Sequence, residues 1–248
     1  MQAVSPELLL IIKELQALPC LKDFALAGGT NLALRYNHRK SEDIDLFSTN
    51  IVGIQGFKRI EREVSAKYGN DVLNIVYPVK ETDQFVDIRF WIKINDETIK
   101  VDVIQNMKAL YPFETIDDVR LYGLIDIGLF KMVSCACRPA KKDIYDLDHI
   151  TDSQDLESLF ELLKKKKEMF NKDIDRNIFD LDNDPDPIDN PLLLLNFDKR
   201  FQSVAHKIRH SHDNILIVED AKTWRMASIH WRMKVRSLFR YLDIEYPK

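Results

Sequence analysis

Two adjacent glycines stand near the N-terminus in the run 24-FALAGGTNLALRYNHRKSEDIDLFS-48, in a chain that has only seven glycines. Gly28 and Gly29 follow a short apolar segment and precede Thr30. Glycine tolerates positive φ and lets a ligand approach the backbone closely, and the free N–H groups of a helix's first turn bind anions. If Thr30 starts a helix here, the stretch can hold a phosphate. A plain strand-to-helix turn is the alternative for these residues taken alone.

The two aspartates of the same run, Asp43 and Asp45, are spaced to share a metal ion. In a β-strand, residues two apart point to the same face, so both carboxylates project together. Two close carboxylates repel each other unless a cation lies between them. Mg²⁺ takes such hard oxygen ligands and completes its shell with water and substrate phosphates. An exposed strand edge, with both carboxylates in solvent, is an alternative of equal weight.

A third carboxylate on another strand would complete a two-metal site. In 99-IKVDVI-104 the apolar residues alternate, which leaves Asp102 on the opposite face. If this strand lies beside the strand of Asp43 and Asp45, the three carboxylates share one face near the glycine turn. Such a site clamps a triphosphate and lowers the pKa of an attacking hydroxyl. Asp87, on the preceding strand, competes with Asp102 for the third position.

Strands and helices alternate up to about residue 110 and would position these residues. The predicted strands are DFALA, DIDLF, VLNIVYPV, FVDIRFWIKI and TIKVDVI, and the predicted helices run from Thr30 to about His38 and from Gly56 to about Tyr68. Beyond residue 110, helical spacing predicts helices over 117–137, 141–150, 155–170 and 221–242. We therefore predict an α+β fold, with a mixed β-sheet and flanking helices in a domain of residues 1–110, followed by a mainly helical domain of residues 111–248.

Bulk properties narrow the class of protein. The formal net charge of -4 gives no global attraction to nucleic acid, so RNA binding would need a local basic patch. Three cysteines without paired spacing predict a reduced, cytoplasmic protein. No apolar run approaches membrane-spanning length, so we predict no membrane partner.

The motif described above resembles the first motif of polymerase-β-like nucleotidyltransferases. More closely, HRKSEDIDLF is similar to the HRxSxDIDLF motif of the AbiEii/AbiGii-type toxins. The segment 126-DIGLFKMVSCACRPAKKDIYDLDHI-150 is similar to a helical segment of the same toxins. The resemblance implies a nucleotidyltransferase fold and transfer of a nucleotide from a nucleoside triphosphate, with Mg²⁺ as cofactor and Mn²⁺ as an alternative. It also implies a toxin beside an antitoxin, with RNA, including the 3′ end of tRNA, as the acceptor in studied branches.

The resemblance also implies roles for individual residues. The metal ligands it implies are Asp43, Asp45 and Asp102, the last by strand position only. The nucleotide-binding residues it implies are Gly28, Gly29, Thr30, Lys131, Arg138, Lys142 and Asp146. Lys131 is expected to contact the triphosphate, and Asp143 is expected to join the metal ligands and Lys131 in the catalytic set. Without the family pattern, Lys131 would be a snorkelling lysine and Asp143 a helix cap.

Two further groups of charged residues are weaker candidates. The last predicted helix carries a narrow basic stripe that could track the phosphate backbone of an RNA acceptor, formed by Arg225, Arg232, Arg236 and Arg240. An exposed helix paired with nearby acids is an equally weighted alternative. The lysines of 164–167 are interpreted as a solvated helix face, and His206 and His210 as residues without a metal role.

Three hypotheses follow from these residues. The leading one is an active toxin nucleotidyltransferase that modifies RNA. A second keeps the chemistry but transfers the nucleotide to a protein or small-molecule hydroxyl. A third is a binding module that holds nucleotide without catalysis, which the full set of site residues disfavours.

Overall fold

A computed structural model describes residues 2–181, 185–201 and 214–247. They form two compact units. We call residues 2–123 with 170–181 the sheet unit, and residues 124–169, 185–201 and 214–247 the helical unit. His206 and His210 lie outside the described residues. The predicted α+β class, with a mixed sheet followed by a mainly helical region, is confirmed.

The described part of the sheet unit contains one seven-stranded mixed sheet with the order β3-β4-β5-β2-β1-β7-β6. Its strands are β1 (Ala25–Leu26), β2 (Asp43–Phe47), β3 (Val72–Val76), β4 (Asp87–Ile94), β5 (Glu97–Ile104), β6 (Glu114–Ile116) and β7 (Val119–Leu121). The β2–β5 and β1–β7 pairs are parallel and the others are antiparallel. The chain therefore returns to the centre of the sheet with β5, beside the strand of the two alternating aspartates.

The helices of the sheet unit are α1 (Pro6–Gln16), α2 (Gly28–Tyr36) and α3 (Gly53–Tyr68). Apolar residues of α1 and α3 form one buried cluster with alternate residues of the strands, such as Ile88, Phe90 and Ile92 of β4. Because strand side chains alternate between faces, the aspartates of β2 and β5 are left on the opposite face. The hydrophobic core thus fixes which face carries the charged residues.

The sheet continues past the predicted domain boundary at residue 110. Residues 117–123 were predicted as helical, which is wrong for Val119–Leu121, because Asp117 and Asp118 form the turn between β6 and β7. Both aspartates have positive φ, 50° and 63°, as a two-residue hairpin turn requires. The segment 170–181 also belongs to the sheet unit, where Asn106 donates through Nδ2 to the carbonyl of Ile174 at 2.9 Å.

The helical unit contains α4 (Leu124–Cys137), α5 (Lys141–Ile150), α6 (Leu156–Met169) and α7 (Trp224–Tyr241). One face of α7 is apolar and packs inward, because Trp231, Val235 and Leu238 are buried. The interpretation of residues 164–167 as a solvated face is wrong for Lys166. Its side chain is buried, and its Nζ lies 2.7 Å from Oδ1 of the buried Asp126.

Candidate active site

Strand register brings the predicted third acid next to the predicted metal pair. In the parallel β2–β5 pair, Asp45 lies opposite Asp102, and Asp43 lies opposite Lys100. In the antiparallel β4–β5 pair, Asp102 lies opposite Arg89. Directly opposite residues of neighbouring strands point to the same face. Three strands therefore present the row Arg89–Asp102–Asp45 on the face that the core does not occupy.

Two cations are held among these carboxylates. Arg89 donates through Nε to Oδ1 of Asp102 at 2.5 Å. The Nζ of Lys100 lies 3.1 Å from Oδ2 of Asp102 and 3.6 Å from Oδ2 of Asp43. Burial would lower the pKa of Lys100, but Asp102 and Asp43 outweigh it, and the pKa is raised. The ammonium therefore stays charged and offsets the repulsion that the sequence predicts between the acids.

The glycine turn lies directly against Asp45. Gly28 has φ +61°, and a Cβ built on it would lie 1.8 Å from Oδ2 of Asp45. A Cβ there would displace the Asp45 carboxylate, and the positive φ also favours glycine. At Gly29, a Cβ would lie 2.4 Å from Nη2 of Arg39, a buried arginine. The backbone at the start of α2, a candidate anion site, thus adjoins one of the predicted metal ligands.

Thr30 lies inside α2 and does not begin it. The helix starts at Gly28 with Ala27 as its N-cap, so the predicted start was two residues late. The Thr30 hydroxyl is buried, donates to the backbone carbonyl of Asp43 and lies 2.8 Å from Oγ of Ser41. Its side chain therefore ties α2 to the first residue of β2. A phosphate contact of Thr30 stays a prediction.

Asp87 and Asp102, the two candidates for the third acid, have different surroundings. Asp87 lies opposite Ile104, and its Oδ1 accepts a hydrogen bond from the Val79 N–H at 2.8 Å. Burial raises the pKa of Asp87 to about 6, and the nearby charge of Asp102 adds to the rise. Asp102 is the candidate that lies opposite Asp45. The register therefore favours Asp102 as the third acid and gives Asp87 a structural hydrogen bond.

The oxygen donors of this face suit Mg²⁺ or Mn²⁺ in kind. In the part of the chain that the structure describes, no three carboxylate, imidazole or thiolate groups converge closely enough to enclose a metal ion. Arg89 and Lys100 contact Asp102, and Lys100 also contacts Asp43. The positive charge that a metal would supply is thus provided by side chains, and we expect a metal to displace Lys100.

The predicted residues of the helical unit form one buried charge cluster. The Nζ of Lys131 lies 2.7 Å from Oδ1 of Asp143 and 2.8 Å from Oδ2 of Asp146. Arg138 donates through Nε to Oδ2 of Asp143 at 2.9 Å. Burial alone would raise the pKa of Asp143, but Lys131 and Arg138 outweigh it and hold the pKa below its usual value. Lys142 is half-buried in the first turn of α5.

The alternative of Asp143 as a helix cap is wrong, because α5 begins at Lys141 with Ala140 as its N-cap. Asp143 lies in the first turn of that helix and is fully buried. Its carboxylate faces Lys131 and Arg138 and stays ionised beside them. The three side chains therefore link the middle of α4, and the residue after its end, to the start of α5.

The four arginines of the α7 stripe differ in their surroundings. Arg232 donates through Nε to Oδ2 of Asp198 at 3.0 Å, and its guanidinium lies 5.0 Å from the Phe197 ring. The guanidinium of Arg236 lies 4.6 Å from the Tyr246 ring. Arg225, Arg236 and Arg240 are exposed. A part of the stripe thus packs within the helical unit, and a part faces solvent.

Sequence reasoning missed the cations of the site. Arg89 and Lys100 were not singled out, although each lies two residues from a candidate acid, Asp87 and Asp102 respectively. The period of two in FVDIRFWIKI and TIKVDVI places each cation on the face of its acid. That signal was present in the sequence. The pairing of β4 with β5 is needed to see that both cations contact the same carboxylate.

Comparisons with known proteins identify the family of the chain. A family model described as nucleotidyl transferase AbiEii toxin, type IV TA system, matches residues 11–225. An uncharacterized protein of Aquifex aeolicus (strain VF5) is 29% identical over 159 residues, which cover 62% of this chain and 71% of that protein.

Solved structures resemble the chain at lower identity. One is a protein of H. pylori described as a putative nucleotidyltransferase, with a TM-score of 0.46, 18% identity and coverage of 96% of this chain and 94% of that chain. Another is MenT4, a nucleotidyltransferase toxin of Mycobacterium tuberculosis H37Rv, with a TM-score of 0.48, 14% identity and coverage of 90% and 76%. On the family match over most of its length, the chain belongs to the AbiEii nucleotidyltransferase toxins of type IV toxin–antitoxin systems.

Proposed function

We propose that this enzyme transfers a nucleotide from a nucleoside triphosphate to a hydroxyl of RNA, at the 3′ end of a tRNA, as the toxin partner of a cognate antitoxin. The observation that carries the proposal is the adjacency of Gly28, Asp45 and Asp102. A helix N-terminus suited to phosphates and carboxylates suited to a metal meet there. The family supplies the reaction class, and the acceptor follows from the resemblance of its motifs.

The metal ligands in this proposal are Asp43, Asp45 and Asp102, with Mg²⁺ as the ion and Mn²⁺ as its substitute. When bound, the metal neutralises the triphosphate and lowers the pKa of the attacking hydroxyl. Gly28 keeps the Asp45 carboxylate close to the α2 N-terminus, since nothing larger fits between them. Asp102, on the far side of Asp45 from that helix end, is the carboxylate that would face the acceptor hydroxyl.

The family pattern of the segment 126–150 implies further nucleotide-binding residues. Lys131 would contact the triphosphate, while Asp143 and Asp146 hold its ammonium in position and charged. Arg138 and Lys142 of the same segment add positive charge. The support is the family pattern of this segment together with the buried cluster that its residues form.

The test is transfer of label from each radiolabelled nucleoside triphosphate to whole-cell RNA or protein, with Mg²⁺, Mn²⁺ or chelator. Asp45→Asn preserves the size of the side chain and removes its charge, and we expect at least about 100-fold less transfer, because a metal contributes several kcal/mol to such a transition state. Asp96→Asn is the matched control, since Asp96 is exposed in the turn between β4 and β5. Its transfer should equal that of the wild type.

Each other outcome removes a defined part of the proposal. Label that enters protein or a small molecule, and never RNA, would remove the RNA acceptor but keep the transferase. Transfer that Asp45→Asn leaves unchanged would remove the metal assignment. Binding of a triphosphate without turnover on any acceptor would indicate a binding module.

A further inference from the structure

Strand β4 carries an alternation of charge and aromatic ring on the acidic face of the sheet. Arg89, Trp91 and Lys93 are spaced two apart, while Phe90 and Ile92 between them are buried in the core. Side chains two apart on a strand point to the same face, about 6.6 Å from each other. Arg89, Trp91 and Lys93 therefore share the face of Asp102, which lies opposite Arg89.

These side chains are accessible among the residues that the structure describes. Lys93 is exposed and Trp91 is half-buried. The Arg89 side chain keeps 39% of its surface in solvent, although its Nε contacts Asp102. Lys100 of β5 lies opposite Trp91 and keeps 31% of its side-chain surface in solvent. A partly exposed tryptophan thus has a cation before it, after it and beside it.

The order of the strands gives this surface a position relative to the reaction. Across the sheet, β4 is followed by β5, β2 and β1. Gly28, at the start of α2, lies against Asp45 of β2. The proposed triphosphate site is therefore on the β2 side of Asp102, and Arg89 is on the β4 side. An acceptor strand that reaches Asp102 from the side opposite the triphosphate would therefore lie over β4.

We propose that Arg89, Trp91, Lys93 and Lys100 form the acceptor platform, which binds the single-stranded 3′ end of RNA. A base near the 3′ end stacks on Trp91, and the phosphates on either side contact Arg89 and Lys93. Stacking on an aromatic side chain between cations is how proteins bind single strands without reading sequence. The proposal rests on the proposed function, and it deepens it by naming where the acceptor lies.

The charges of the site make acceptor binding depend on the metal. Without metal, Arg89 and Lys100 are engaged by Asp102 and Asp43. A divalent ion on those carboxylates would release the two cations for the phosphates of the RNA. We therefore expect tighter RNA binding when Mg²⁺ is present than in chelator, beyond the general effect of the salt.

Tryptophan fluorescence tests the platform without turnover. The chain has three tryptophans, of which Trp231 is fully buried and Trp224 packs edge-on against Phe197. A short single-stranded RNA with a free 3′ hydroxyl, added without nucleoside triphosphate, should quench the fluorescence in a saturable way. The quenching should disappear in Trp91→Phe and persist in Trp224→Phe, which is the matched control.

Affinity and kinetics give a second readout. Trp91→Ala should weaken RNA binding about 5- to 150-fold, the usual effect of removing one stacking ring, and raise KM for RNA with little change in nucleotide binding. Lys93→Gln should lower the slope of log K against log salt by about 0.7, the value for one phosphate contact of a single strand. Lys58→Gln, an exposed lysine of α3, should leave the slope unchanged.

The outcomes separate the platform from the reaction. Quenching that survives in Trp91→Phe, or RNA affinity that Trp91→Ala leaves intact, would overturn the platform even if transfer to RNA is confirmed. Quenching by a free nucleoside triphosphate and not by RNA would also overturn it, because the ring would then serve the donor. RNA binding that depends on Trp91 without transfer to any RNA would support the platform and reject the proposed function. If Trp91→Ala does not fold, Trp91→Phe still decides.

Discussion

At the scale of single residues, the site depends on the space beside the Gly28 backbone as well as on charged side chains. Gly28 has no Cβ, and the space that a Cβ would take holds an oxygen of Asp45. The buried hydroxyl of Thr30 donates a hydrogen bond to the backbone carbonyl of Asp43. Both residues position β2 against α2. A substitution at Gly28 should therefore change catalysis as well as stability.

Gly28→Ala should abolish transfer and lower the unfolding free energy. An alanine at positive φ costs about 1–2 kcal/mol, and its Cβ would push the Asp45 carboxylate away. Gly69→Ala is the control, because Gly69 also has positive φ but a Cβ there would meet nothing within 4 Å. The Gly69→Ala variant should unfold at lower urea concentration than the wild type and still transfer nucleotide. Equal transfer by the two variants would contradict the role of the Gly28–Asp45 contact.

Asp87→Asn should change how stability depends on pH. Because the pKa of Asp87 in the folded protein is raised to about 6 from 3.8, its favourable contribution is complete below about pH 4 and is lost as pH rises through 6. Asparagine keeps an oxygen for the Val79 N–H and does not ionise. In chelator, the variant should gain about 2–3 kcal/mol of unfolding free energy relative to wild type between pH 4 and 7. If the difference in unfolding free energy between the variant and the wild type is the same at every pH, the pKa of Asp87 is not raised in the folded protein.

At the scale of elements, buried ion pairs join helices of the helical unit. Lys131 on α4 contacts two aspartates of α5, Asp143 and Asp146, and all three are buried. Lys166 on α6 is paired with Asp126 on α4 in the same way. Loss of one partner from such a pair leaves an uncompensated buried charge. Loss of transfer in a Lys131 variant therefore has two explanations, which must be separated.

Lys131→Met should destabilise the protein by about 3–5 kcal/mol, because the buried Asp143 and Asp146 would both lose the cation that they share. The double variant Lys131→Met with Asp146→Asn should recover a large part of that loss, which denaturant unfolding of the single and double variants measures. If the recovered protein still binds no triphosphate in calorimetry while Asp146→Asn alone binds it, Lys131 has the proposed direct role. Recovery of triphosphate binding together with stability would leave Lys131 a purely structural residue.

The elements show how far sequence reasoning reaches. Alternation in β4 and β5 indicated which face Asp102 occupies, because a strand's period of two follows from its geometry. That β5 lies parallel to β2 could only be assumed, since strand order depends on packing of the whole sheet. The β6–β7 hairpin was missed because Asp117-Asp118 is a weaker turn signal than Asn-Gly. Lys166 was misplaced because lysine is seldom buried and its partner Asp126 is distant in sequence.

At the scale of the whole molecule, the family match ends where the last helix begins. The match covers residues 11–225, and α7 starts at Trp224. The arginine stripe of α7 is thus almost entirely outside the matched region, although Trp231 and Val235 of the same helix are buried. The buried face of the helix is part of a hydrophobic core, while its basic face is not covered by the family match.

Among the described residues, no helix is long and apolar enough to cross a membrane.

If the α7 stripe binds the body of an RNA acceptor, its exposed arginines should carry the effect. Arg236→Gln with Arg240→Gln should weaken RNA binding and reduce the log–log salt slope by about 0.9 for each lost contact with a duplex. Triphosphate binding should not change. Lys165→Gln, an exposed residue of α6, is the control. Arg232→Gln is less suitable, because it also removes a partner of Asp198. An unchanged salt slope in the double variant would exclude the stripe as an RNA track.

The ammonium of Lys100 lies between Asp43 and Asp102, and it therefore separates what folding requires from what nucleotide transfer requires. A protein that supplies its own counter-ions does not depend on metal for folding, so dialysis against chelator should leave its thermal transition within about 2 °C of the untreated protein. Transfer should be absent in that state and return on addition of Mg²⁺. If transfer depends on Mg²⁺ as proposed, the metal-free enzyme would be folded and inactive. Unfolding of the chelated protein would show that its own cations are insufficient.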